Sequence, residues 1–119
     1  RRLSAKYNPA ASKRFLIDDW KLVCSGVAGF ARKIEAADLA AWLETATQHA
    51  RPVKADQDCL DAAICLIIAL AWRRLPSEEL LVIGDEMSGY IAAVVSIETR
   101  AVLSRAAEKR SVHVDRSWD

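Results

Sequence analysis

Apolar residues in "ARKIEAADLAAWLETATQHA", residues 31–50, recur at helical spacing through Leu39, Trp42, Leu43 and Ala46. One apolar stripe with polar residues around it predicts an amphipathic helix. It should stop near Ala50, because Pro52 disfavours helix at Arg51. The next pattern is denser. Leu60, Ile64, Leu66, Ile67, Ile68, Leu70 and Trp72 cover more than one stripe, as in a helix buried on nearly every side. Asp56 or Asp58 can cap it. It should run to about Arg74, where Arg73 and Arg74 suit the negative end of the helix dipole and Pro76 marks the exit.

After "PSEE" the period changes. "LLVIGDEMSGYIAAVV" holds two apolar runs around a turn containing Gly84, Asp85 and Gly89, which reads as a β-hairpin or two short strands. "IETRAVLSRAAEKR" returns to helical spacing through Val102, Leu103 and Ala106, for a helix over 97–111. Upstream, Asn8 as N-cap and Pro9 in the first helical position predict a short helix to about Leu16. Asp18 and Asp19 then break the apolar pattern. "WKLVCSGVAG" fits strand, loop or helix, since Gly26 and Gly29 weaken any single assignment. Residues 1–8 read as an extended lead-in and "SVHVDRSWD", residues 111–119, as a poorly ordered tail. The expected fold class is mostly α with a short β-hairpin, in one small domain or partial domain with helices plus hairpin over 9–96.

Composition changes this picture little. The 119 residues are 52% hydrophobic, enough to fold around a core. Seventeen Lys and Arg against sixteen Asp and Glu leave a net charge of +1, which gives no strong overall pull toward nucleic acid or a membrane. The run from Ala62 to Trp72 is only 11 residues, too short to span a bilayer. No signal peptide is visible. Cys24, Cys59 and Cys65 form no CxxC pair, which argues against a zinc ribbon and suits a reducing cytoplasm. Cys59 and Cys65 fall in the apolar helix, where free cysteine behaves as a small core residue.

The chemistry worth weighing lies at the start of the dense helix. Asp58 and Asp61 are three residues apart, so both project from one helix face. Asp61 is flanked by Leu60, Ala62 and Ala63, and the small neighbours leave room for another element to approach. Paired carboxylates offer hard oxygen ligands to a divalent cation. Acidic residues also populate first helical turns simply because they stabilise them.

"DCLDAAICLIIALAW" followed by "IGDEMSGYI" resembles the C-terminal part of an uncharacterised bacterial family of predicted RNase H-like nucleases. That family has an Asp-x-x-Asp-Ala helix, a small apolar run and an "IGD…GYI" strand pair. "YNPAASKRF" is similar to its "YPAA" helix start, with Asn8 inserted. The resemblance runs from about Tyr7 to Val95. It implies the C-terminal portion of an α/β RNase H-like fold, in which carboxylates hold Mg²⁺ or Mn²⁺ for phosphodiester hydrolysis. Asp58 and Asp61 match the late-helix carboxylates, Asp61 the better of the two. The family's first-strand carboxylate, in a "GIDGA"-type segment, has no counterpart here. The expectation is therefore a portion of a longer nuclease, inactive alone, whose dense helix a sheet from the missing N-terminal portion covers.

The alternative is a non-catalytic helical interaction module, a homo-oligomer in which a second copy covers the apolar surface. Lys13, Arg14, Lys21, Arg32 and Lys33 could touch a nucleic-acid backbone, although such charges more often form a solvated face. His49 and His113 lie in no ligand-spaced motif and read as surface residues. Ser25 in "CSGVAG" lacks the GxSxG elbow of a serine nucleophile. Gly26 and Gly29 make no phosphate loop, since no Gly-Lys-Ser/Thr follows. Asp85 reads as a turn residue. Trp20, Trp42 and Trp72 read as core or interface anchors.

Overall fold

The computed structural model describes residues 4–115. The expectations for the first three lead-in residues and for the last four residues of the tail lie outside them. In chain order the elements are α1 (Ile17–Lys33), α2 (Ala37–Thr47), α3 (Lys54–Arg74), a 3₁₀ turn at Ser77–Glu79, β1 (Leu80–Asp85), β2 (Gly89–Val94) and α4 (Ile97–Lys109). The protein is mostly helical with one two-stranded antiparallel hairpin. It divides into two compact units, and the division falls inside α3, after Ala69.

In the first unit the expected helix over 9–16 is absent. Asn8 instead closes a turn, its Oδ1 accepting from the Ala10 N–H at 3.0 Å and its carbonyl from the Ala11 N–H. The helix begins at Ile17 and runs straight through the ambiguous stretch. Asp19, read as a break in the apolar pattern, is buried within α1. It is tolerated because its Oδ2 accepts the Lys6 N–H at 2.6 Å. Trp20, Cys24, Ala28 and Ala31 form the helix's buried stripe at spacings of three and four. Gly26 and Gly29 lie on its exposed side.

The predicted continuous helix over 31–50 is interrupted. α1 stops at Lys33 because Glu35 adopts φ +62°, in the left-handed region. The Ala36 N–H then reaches the Ala31 carbonyl and the Glu35 N–H the Arg32 carbonyl, the paired bonds of a Schellman stop. α2 folds back on α1. The Trp20 indole donates to the Ala46 carbonyl at 3.0 Å, and Arg32 pairs with Glu44. Leu43 and Leu60, both fully buried, complete this core with Trp20. Burying an indole of this size contributes on the order of 3 kcal/mol.

In the second unit β1 and β2 pair from Leu80 opposite Val94 to Asp85 opposite Gly89. Gly84 stands at φ +111°, and a Cβ there would lie 2.2 Å from the Gly89 carbonyl oxygen, so only glycine fits. Asp85 behaves as a turn residue. Its Oδ1 accepts from the Ser88 amide and hydroxyl at 2.7 Å each, and these bonds hold its carboxyl below the ordinary value. The Ser96 hydroxyl caps α4 by accepting from the Thr99 N–H. A second Schellman stop, with Ser111 at φ +55°, ends it at Lys109.

The segment read as a poorly ordered tail is anchored as far as Asp115. Val114 bridges Ile83 antiparallel, the Gly84 N–H donates to the His113 carbonyl, and Asp115 exchanges bonds with both Val82 backbone groups. Arg100 links Asp115 to the Leu80 carbonyl.

Candidate functional site

The start of α3 is fixed by its own side chains. The Asp56 Oδ2 reaches back to the Val53 N–H at 2.7 Å, satisfying a donor that the helix leaves unpaired. Asp56 is thus the capping carboxylate of the two weighed from sequence. Lys54 forms an i,i+4 ion pair with Asp58 at 2.7 Å, and its ammonium also donates to the Gln57 Oε1 at 3.0 Å. Asp58 is exposed, so this pair adds only a few tenths of a kcal/mol.

Asp61 stands apart from it. It is half-buried, and its Oδ1 accepts a hydrogen bond of 3.1 Å from the Tyr7 hydroxyl. The small residues beside Asp61 do admit another element, and it is the lead-in. The Lys6 N–H bond to Asp19 and the Leu16 N–H bond to the Lys6 carbonyl pin this segment in place. Burial pushes the Tyr7 phenol above its usual range, and the adjoining Asp61 carboxylate adds to the shift. Tyr7 therefore stays a neutral donor toward Asp61.

Sequence reasoning gave Tyr7 no role in the site. No periodicity could, since it meets Asp61 across 54 residues of chain.

Hard carboxylate oxygens at Asp58 and Asp61 suit Mg²⁺ or Mn²⁺ in kind. In number they fall short. Among the described residues no three His, Cys, Asp or Glu side chains converge as metal ligands. His49 and His113 are exposed, as expected, and His49 lies 3.9 Å from Asp56.

The expectation that α3 is covered on nearly every side is overturned among the described residues. Gln57, Leu60, Ala63, Ile67 and Ala71 are buried, at one-stripe spacing. Cys59, Ala62, Cys65, Leu66 and Ala69 are exposed, so the two cysteines of α3 are surface residues while Cys24 is the core one. Trp20 alone of the three weighed tryptophans is fully buried; Trp42 and Trp72 keep about 40% exposure. Among the described residues no helix is long and apolar enough to cross a membrane.

Next to Tyr7 the first unit carries a cleft of about 150 Å³. Comparison with protein-family models, with curated proteins and with solved structures finds no match to the chain.

Proposed function

We propose that this chain supplies the late-helix carboxylates of a metal-dependent RNase H-like nuclease, acts on a nucleic-acid phosphodiester, and is inactive without the further acidic ligands such a site needs. The observation that carries the reading is the setting of Asp61. It is half-buried, tied through one oxygen to Tyr7, and one turn from exposed Asp58. In this reading Asp61 and Asp58 would hold Mg²⁺ or Mn²⁺ together with carboxylates from outside the chain. The metal would supply activation of water and stabilisation of charge on the phosphate. Tyr7 would orient the Asp61 carboxylate by donating to Oδ1, and Oδ2 would be the oxygen available to hold a metal. The exposed apolar side of α3 is where the sheet of such a fold would pack. Three free thiols agree with a cytoplasmic location.

The test is Mn²⁺-dependent hydrolysis of RNA and DNA by the full gene product. Asp61→Asn should slow it by about a hundredfold, since several kcal/mol of charge stabilisation depends on the ligand set. Asp56→Asn, at a side chain that meets the helix cap and His49 but neither Asp58 nor Asp61, should leave the rate near the parent's. Equal rates for Asp61→Asn and the parent would discard the reading.

A second reading rests on the same exposed surface. Leu66 is 50% exposed on a face that it shares with Ala62, Cys65 and Ala69. In this reading the chain is a non-catalytic module that self-associates, a second copy covering α3.

A further inference from the structure

The cleft beside Tyr7 is edged by two cationic side chains. Six of the residues that line it carry the argument: Lys6, Tyr7, Asn8, Arg14, Phe15 and Gln57. Among the described residues, Lys6 and Arg14 are the only charged ones along its wall, and no carboxylate lines it. Both cations lack an ion-pair partner among the described residues. The oxygen of each amide already accepts one hydrogen bond. The Asn8 Oδ1 takes the Ala10 N–H, and the Gln57 Oε1 takes the Lys54 ammonium. Their NH₂ groups add donors to those of the two cations. The Tyr7 hydroxyl spends its proton on Asp61, so toward a ligand the tyrosine brings its ring and no donor. Asp61 accepts from Tyr7 and Asp19 from the Lys6 N–H, and neither is among the residues lining the cleft.

A cleft edged by two cations and two amide NH₂ groups, with no carboxylate among the described residues of its wall, suits an anionic ligand. We propose that it binds the phosphate of a phosphate ester, the ester's organic part lying against the rings of Tyr7 and Phe15. Guanidinium and ammonium groups make charge-assisted bonds to phosphate oxygens, and the amide NH₂ groups complete the shell. The cleft, of about 150 Å³, is partly open, so the organic part of the ester can extend out of it. A free nucleoside monophosphate and one unit of a single strand share this chemistry. The site needs no metal and is independent of the nuclease reading.

Calorimetric titration of the full chain, with a metal chelator present, tests it. The probes are inorganic phosphate, a nucleoside 5′-monophosphate, the matching uncharged nucleoside and a short single-stranded oligonucleotide. The monophosphate should bind, more tightly than inorganic phosphate, and the nucleoside should not. A tighter oligonucleotide assigns the site to a strand, and a weaker one to the free ester. Arg14→Gln, at an exposed turn position, should weaken monophosphate binding roughly tenfold through loss of a charge-assisted bond. Lys6→Gln should do the same. No binding of any phosphate probe, equal binding of the nucleoside, or affinity unchanged in both variants would overturn the proposal. The chelator keeps its failure distinct from that of the nuclease reading, which is judged by hydrolysis alone.

Discussion

Cys24, Cys59 and Cys65 show how burial sorts chemically identical groups. Cys24 is fully buried beside Trp20's helix turn, and burial pushes its thiol up to about 11. Cys59 and Cys65 are exposed on α3. A thiol reagent at pH 8 should therefore label two groups quickly in the folded chain and all three in denaturant. Three fast groups in the folded chain would contradict the buried position of Cys24. The same shift gives a sign to alkaline stability. Above about 9 the unfolded chain releases the Cys24 proton while the folded chain keeps it. Stability contributed by this group should thus fall as pH rises from about 9 toward 11. Denaturant midpoints across that range, compared with Cys24→Ala, read the effect.

At the scale of elements, the two helical glycines and the hairpin glycine make opposite predictions. A Cβ at Gly26 or Gly29 meets nothing within 4 Å, and both positions are helical and exposed. Gly26→Ala and Gly29→Ala should each stabilise by about 0.5–1 kcal/mol. Gly84→Ala should cost about 2 kcal/mol or more, because its φ and the Gly89 carbonyl both exclude a side chain. Urea unfolding of the three variants decides it; a stabilising Gly84→Ala would reject the hairpin geometry. These positions also mark what could be read in advance. The hairpin was legible because Gly84, Asp85 and Gly89 punctuate two apolar runs. The dense helix was legible because its caps and exit residues agree with its pattern. The break between α1 and α2 was not, since the left-handed residue that makes it is Glu35 rather than glycine. The start of α1 was hidden because Asp19 looks like a breaker until its partner, the Lys6 N–H, is known. Of the candidate site, Asp58 and Asp61 were visible by spacing. Tyr7 and the cleft depend on a fold-back that local sequence does not encode.

For the whole molecule, the question is what meets the bare side of α3. The net charge of +1 offers little repulsion between copies. Under the self-association reading, the weight-average mass from sedimentation should rise with concentration. Leu66→Glu, at a half-exposed position, should hold the chain at 13.1 kDa. A parent chain that stays at that mass at high concentration removes this reading and leaves α3 to another segment. The two compact units meet this question differently. Asp61, Tyr7 and the cleft all belong to the unit ending at Ala69, so the chemistry proposed above does not draw on the hairpin.

The segment His113–Asp115 lies along one border of β1, with Asp115 bonded to both Val82 backbone groups. Beneath it run Leu80, Leu81, Val82 and Ile83, four apolar residues without a charge. A strand border of this composition, once bare, is a template for cross-β growth by other chains. A proteolytic nick after Lys109 would therefore do more than shorten the molecule. It would strip away a built-in guard against amyloid-type aggregation.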